Sequence, residues 1–86
     1  MSLDDFLEKM TKEQALFIRE LRCGPIMHSW RRVAHVVADK YDLPEALVEH
    51  DYDGEKVIDG NQLIGMEMCQ LAANILGEDY QEDPWN

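Results

Sequence analysis

Apolar residues recur at helical spacing in several segments of the chain, and a capping or helix-breaking residue bounds each segment. Ser2-Leu3-Asp4-Asp5 can cap a short first helix. Thr11-Lys12-Glu13-Gln14 has the pattern of a capping box that opens a second helix, which Gly24-Pro25 then ends, with the glycine able to take a left-handed cap. This second helix carries four apolar residues at helical spacing: Ala15, Leu16, Ile18 and Leu21.

The same pattern continues through the second half of the chain. Ser29 is the expected N-cap of a third helix, which Asp42-Leu43-Pro44 ends. Pro44 suits the first turn of another helix, so 45–50 are expected to add one or two helical turns, whereas 55–58 could be extended. Asp59-Gly60-Asn61-Gln62 repeats the capping pattern and opens the most apolar helix, which Gly77 ends. A helix that is apolar around most of its circumference is buried among other helices.

These elements predict an all-α fold, a small bundle of four or five short helices. We expect residues 1–77 to form a single helical domain and residues 78–86 to form an acidic, aromatic C-terminal tail. Within the last helix, Gly65, Cys69 and Ala72 are small residues at spacings of four and three, which allow another helix to approach closely. Packing within the chain is the favoured interpretation, and a homodimer interface is the alternative.

The segment from Ser29 to Asp51 resembles a helix-turn-helix unit, with Val33-Ala34 in the first helix and Leu43 at the turn. The resemblance implies a DNA-binding transcriptional regulator whose second helix enters the major groove. However, the exposed residues of that second helix would be Glu45, Glu49 and Asp51, and affinity for DNA comes mainly from cations that neutralise phosphates. We therefore favour a helix-turn-helix-like scaffold that does not read DNA, and keep the regulator as the alternative.

A second resemblance lies in the twelve residues from Asp51 to Gln62, which are similar to an EF-hand calcium loop. Lys56 stands at position 6, where the sharp turn uses glycine, and Gln62 at position 12 lacks the second carboxylate oxygen of the usual glutamate. A capped joint between two helices is the favoured interpretation, and a calcium switch is the weaker one.

Charge divides the 86 residues unevenly. Residues 1–40 contain seven Lys or Arg and six Asp or Glu, whereas residues 41–86 contain twelve acidic residues and Lys56 alone, which together give the net charge of −10. Such asymmetry predicts two electrostatic faces. The acidic half could offer carboxylates where DNA phosphates would lie, and so block a nucleic-acid-binding protein.

The basic residues of the first half suggest a contact surface, because arginine and tryptophan often anchor interfaces. The alternative is a structural role, in which these arginines pair with acids of the second half while Trp30 fills the core. The tail offers a second candidate segment, in which acidic residues surround two aromatic rings that could bind a partner or fold back onto the last helix. The candidate partner-binding residues are Arg19, Arg22, Trp30, Arg31, Arg32, Tyr80 and Trp85.

The chain carries no pattern that points to catalysis or to a cofactor. Cys23 and Cys69 lack the spacing of a metal or redox pair, His28, His35 and His50 form no close ligand cluster, and Ser29 is explained as a helix cap. With no signal segment or long apolar run, we expect a soluble cytoplasmic protein. The sequence therefore predicts a non-enzymatic regulatory module, typical of phage or mobile-element accessory proteins, whose partner is another protein, with a homodimer as a further possibility.

Overall fold

Four α-helices form most of the protein. The computed structural model describes residues 1–78, and for residues 48–52 and 55–59 it describes the backbone alone. The helices are α1 (Leu3–Glu8), α2 (Lys12–Cys23), α3 (Trp30–Tyr41) and α4 (Gln62–Leu76). A single 3-10 turn (Pro44–Ala46) and an antiparallel hairpin of β1 (Leu47–Tyr52) and β2 (Glu55–Gly60) connect α3 to α4. The predicted small helical bundle is thus confirmed, and the hairpin is an addition to it.

Side-chain caps set the beginnings of the helices where the sequence predicts them. Ser2 caps α1 and Ser29 caps α3. At the start of α2 the capping box is complete, because Thr11 Oγ1 accepts from the Gln14 amide at 3.1 Å and Gln14 Oε1 accepts from the Thr11 amide at 2.9 Å. Such reciprocal bonds satisfy amides that the first turn of a helix leaves without partners.

The structure corrects two predictions about helix termini. Gly24 ends α2 as predicted, but with φ −81° rather than in the left-handed region. Glycine is needed there because a Cβ would overlap the carbonyl oxygen of Glu20. The N-cap of α4 is Asn61 and not Asp59, since Asn61 Oδ1 accepts from the amides of Leu63 and Ile64 while β2 continues to Gly60. Gly77 ends α4 in the left-handed conformation, φ 69°.

The helix-turn-helix-like unit is not confirmed. Its first helix is α3, and Asp42 makes the turn in the left-handed conformation (φ 56°), at a position where glycine is frequent in helix-turn-helix units. The predicted helix over 45–50 is wrong, because only Pro44–Ala46 forms one 3-10 turn and the chain then continues into β1. Residues 47–52 pair along their whole length with β2, so their backbone groups find partners in a strand rather than in a helix.

The segment that resembles an EF-hand loop is a β-hairpin followed by a helix cap. Asp53 (φ 51°) and Gly54 (φ 82°) form its two-residue turn, and both lie in the left-handed region that a type I′ turn requires. Asp51 lies opposite Lys56 in the strand register, so positions 1 and 6 of the supposed loop face each other across a ladder. A strand precedes this segment, and the predicted joint between two helices is corrected accordingly.

Helix α4 packs against both α2 and α3, and these two helices run antiparallel to each other. Arg22 meets Trp30 at one end of the α2–α3 pair, and Phe17 meets Tyr41 near the other, with ring centroids 6.1 Å apart. Helix α1 closes the Tyr41 end through Phe6, whose ring centroid lies 5.2 Å from that of Tyr41. The largest fully buried side chains are Phe6, Ile18, Leu43, Met68, Val33 and Val37.

Two glycines bring the hairpin and α4 against the first turns of α3. A Cβ at Gly65 would overlap the carbonyl oxygen of Trp30 and lie 2.6 Å from its carbonyl carbon. A Cβ at Gly60 would overlap the carbonyl oxygen of Arg31 and lie 2.7 Å from the His35 amide nitrogen. Gly65, Cys69 and Ala72 are all buried within the chain. This packing supports the favoured interpretation of the small-residue pattern.

We expect Gly65→Ala to lower the free energy of unfolding by about 1–3 kcal/mol, because the added methyl group forces α4 away from α3. The gain of about 1 kcal/mol in helix propensity offsets only part of that loss. Urea denaturation followed by circular dichroism measures the change. Gln70→Ala, at an exposed position of the same helix, is the matched control and should leave stability nearly unchanged. Equal stability of the Gly65 variant and wild type would contradict the close approach.

Candidate interaction site

Arg22 is a charged residue in the core. It follows Ala15 and Ile18 on the buried stripe of α2, and only 7% of it is exposed. Its Nη1 donates to the carbonyl oxygen of His28 at 2.7 Å, and its Cζ lies 4.6 Å from the centroid of the Trp30 ring. A guanidinium stacked on an indole gains cation–π energy that is largest when both groups are shielded from water. Arg22 therefore ties α2 to the residues immediately before and within the first turn of α3.

These contacts hold the connection between α2 and α3 in one conformation. The amide of His28 also donates to the carbonyl oxygen of Leu21, at 3.1 Å, so the two backbone groups of His28 are both bound to α2 or its side chains. Between the anchors, Ile26 is 73% exposed and Met27 is 40% exposed. We call residues 24–29 the anchored loop. Two apolar side chains thus lie in water on a loop whose ends are fixed.

The first turn of α3 carries two arginines at its N-terminal end. Arg31 and Arg32 are exposed and lie just after the Ser29 cap, whose Oγ accepts from the Arg32 amide at 3.1 Å. The N-terminus of a helix carries partial positive charge, and a cation there typically costs about 0.3–1 kcal/mol. By contrast, α1 and α2 have acidic residues in their first turns. Arginine at these two positions is therefore not explained by interaction with the helix dipole.

Arg19 makes an ion pair with an acid of the second half, as the alternative of a structural role for the arginines predicts. Its Nε lies 2.7 Å from Glu78 Oε1 and 2.8 Å from Oε2, and both side chains are about half exposed. The hydrogen bond that Arg19 donates to Glu78, followed by the charge of that carboxylate, raises the pKa of Arg19. Exposed pairs of this kind contribute little stability. This pair joins the first residue of the predicted tail to α2.

All the acidic side chains that the structure describes are exposed. The structure describes eleven of the 18 acidic side chains, and all eleven are exposed. Among them, Glu78 alone forms an ion pair with a described basic residue. In the part of the chain that the structure describes, ion pairs within the chain therefore involve only one of the exposed carboxylates.

The two cysteines have opposite environments. Cys23 is exposed at the end of α2, whereas Cys69 is buried in α4. Burial raises the pKa of the Cys69 thiol to about 11, although the positive charge of Arg22 opposes this shift. Because the folded state retains this proton, the resulting stability is present below the ordinary thiol pKa of about 8.5 and is lost as the pH rises through about 11.

The structure brings some of the predicted contact residues together and separates others. Arg22 and Trp30 stack on each other, and Trp30 is half-buried, so both support the surface from below. Arg31 and Arg32 lie on the surface beside them, and Arg31 makes a further interaction within the chain. Arg19 belongs to a different surface with Glu78. Tyr80 and Trp85 lie outside the described residues.

Sequence reasoning missed Ile26 and Met27. The signal that could have found them is two large apolar residues directly after a Gly-Pro helix end, where no helical or strand period places them in a core.

We expect Arg22→Met to loosen the anchored loop while changing the free energy of unfolding by less than about 1 kcal/mol, since methionine fills a similar space without a buried charge. The loss of the bond to the His28 carbonyl should speed hydrogen exchange of the His28 amide about tenfold. Exchange followed by nuclear magnetic resonance tests this. The exposed Arg32→Met is the control. Unchanged exchange at His28 would show that the loop does not depend on Arg22.

We expect a disulfide reagent at mildly alkaline pH to react rapidly with Cys23 and to leave Cys69 intact, because the reactive species is the thiolate and the Cys69 thiol is both buried and protonated. Absorbance of the released thiol counts the reactive groups. Cys23→Ser should abolish the fast reaction, and denaturant should restore one reactive thiol in that variant. Fast reaction of the Cys23→Ser variant without denaturant would contradict the burial of Cys69.

Neither a membrane span nor a metal-binding group is found in the described residues. None of their helices is long and apolar enough to cross a membrane. No cluster of three or more His, Cys, Asp or Glu side chains with the spacing to hold a metal ion occurs among the described side chains. Comparison of the chain with protein-family models, with curated proteins and with solved structures finds no match.

Proposed function

We propose that this protein is a small, non-enzymatic regulatory module of the cytoplasm that binds the basic surface of a nucleic-acid-binding protein. The feature that supports this proposal most is the exposure of every carboxylate that the structure describes, of which Glu78 alone forms an ion pair with a described basic residue. A phage- or mobile-element-encoded accessory protein would have this character. The partner that we propose is a protein, and the binding surface is the acidic second half of the chain.

Electrostatic complementarity is the physical basis of this proposal. A protein that binds nucleic acid presents clustered lysines and arginines to the phosphates. Carboxylates on a rigid surface can approach the same cations, and opposite potentials accelerate association and favour the correct partner. Asp42 and Glu45 lie on the exposed turn after α3, and Asp53 lies exposed at the tip of the hairpin. These three carboxylates are therefore exposed on the segment that connects α3 to α4.

A DNA-binding transcriptional regulator is the alternative function. Its support is the retained helix and turn of α3 with Arg31 and Arg32 near its beginning. Against it stands the strand that occupies the place of a recognition helix, because a reading helix would have to follow the turn. The overall charge of −10 also opposes approach to a polyanion.

The deciding experiment is affinity capture of the tagged protein from extract of its native cell, at low and moderate salt, with and without nuclease, followed by mass spectrometry. We expect a nucleic-acid-binding protein that survives nuclease and is lost as salt rises, because salt screens charge pairs at a surface. The binding variant Asp42→Asn/Glu45→Gln should recover less of this partner.

The matched control removes two exposed carboxylates of the first half, in Glu8→Gln/Glu20→Gln, and should recover the partner at the wild-type level. Recovery of DNA, with every protein lost after nuclease treatment, would overturn the proposal. In that case Arg31→Glu/Arg32→Glu should abolish binding to duplex DNA, as the regulator requires.

A further inference from the structure

We infer that the Asp53–Gly54 peptide bond at the tip of the hairpin is a site of spontaneous backbone modification, in which Asp53 converts to isoaspartate through a cyclic imide. This inference goes beyond the proposed function, because the reaction takes place within one turn and requires no partner. The chain contains two Asp–Gly sequences, Asp53-Gly54 and Asp59-Gly60. The two share the same reacting groups, and the fold gives them opposite environments.

The reaction needs a carboxyl group and the amide of the residue that follows it. The amide nitrogen of Gly54 forms a bond to Asp53 Cγ, and one carboxyl oxygen leaves as water, taking the amide proton and the carboxyl proton with it. Glycine favours this step because it has no side chain to obstruct the approach.

Water then opens the imide at one of its two carbonyl groups. Cleavage of the bond between Asp53 Cγ and the nitrogen restores aspartate. Cleavage of the bond between the main-chain carbonyl carbon and the nitrogen leaves the chain running through Cγ, with the α-carboxyl group free. One water leaves and one returns, so isoaspartate forms without a change in mass.

Asp53-Gly54 lies in an open position at the hairpin tip. Both residues are exposed, and a Cβ at Gly54 would meet no neighbouring atom within 4 Å. The strand pairing ends with Tyr52 opposite Glu55, so the turn lies beyond the last paired residues. Asp53 has φ 51°, a left-handed conformation that is unfavourable for residues other than glycine. Rotation of its main chain toward ring closure therefore leaves an unfavourable conformation and displaces no packed element.

Asp59-Gly60 lies at the packed end of the same hairpin. Both residues belong to β2 and are paired with β1. Gly60 is buried, and a Cβ there would overlap the carbonyl oxygen of Arg31 and lie 2.7 Å from the His35 amide nitrogen. Ring closure rotates the main chain between the two residues, so it requires β2 to separate from α3. Such an opening costs more free energy than the opening of an exposed tip.

Conversion at the tip would alter the hairpin. Isoaspartate adds one atom to the main chain between Asp53 and Gly54, and the type I′ turn matches the twist of its strands with two residues of ordinary length. The pairing next to the turn, Tyr52 with Glu55, should therefore weaken. The connection between α3 and α4 thus acquires a second form that accumulates with the age of the molecule.

Incubation of the purified full-length chain at physiological temperature and mildly acidic pH, followed by digestion with trypsin, tests this inference. Trypsin releases residues 41–56 and 57–86 as separate peptides, so each Asp–Gly sequence is measured by itself. Chromatography separates the isomeric peptides, and electron-transfer fragmentation locates the altered bond. We expect isoaspartate to form at least about ten times faster at Asp53 than at Asp59 in the folded chain. In denaturant the two rates should become similar.

Asp53→Glu is the test variant, and Asp59→Glu is its matched control. The additional methylene group of glutamate requires a six-membered ring, which closes much more slowly. Asp53→Glu should therefore lose the isoaspartate signal of peptide 41–56, and Asp59→Glu should retain it. Circular dichroism checks that both variants are folded, and the comparison of folded with denatured wild type needs no substitution.

Three results would overturn the inference. The first is conversion of Asp53 and Asp59 at equal rates in the folded chain. The second is a folded chain whose peptide 41–56 stays unmodified while the denatured chain converts. The third is an isoaspartate signal that persists in peptide 41–56 of Asp53→Glu.

Discussion

The close approach of α4 and β2 to the first turns of α3 is the constraint on which the rest of the structure depends. At Gly60 and Gly65 a side chain would overlap the backbone of α3, so hydrogen at these two positions sets the distance between the elements. That distance places Trp30 between α4 and α2, where it covers Arg22. The buried arginine then holds the loop before α3. The absence of a side chain at Gly60 and Gly65 thus permits the packing in which Trp30 covers Arg22.

The helices could be predicted because their signals are local. A capping box, a serine cap and a terminal glycine each act within a few residues, and all three lie where the sequence indicates. The hairpin depends on pairing between two segments, so the sequence around each strand was ambiguous by itself. Its strongest local signal was Asp53-Gly54, a preferred type I′ turn pair, which the resemblance to a calcium loop obscured. Proline at 44 did begin a helical turn, but β pairing ended that turn at Ala46.

The candidate interaction site could be predicted only in part, because it too depends on contacts between different elements. Arg31 and Arg32 could be placed on the surface from their position opposite the apolar face of α3. Arg22 could not be separated from them by charge, although it continues the stripe of Ala15 and Ile18 and so falls on the buried side of α2. Its role depends on a carbonyl group and an indole ring from the next element, six and eight residues away. The sequence shows the period of a helix but not the partners that make a buried charge tolerable.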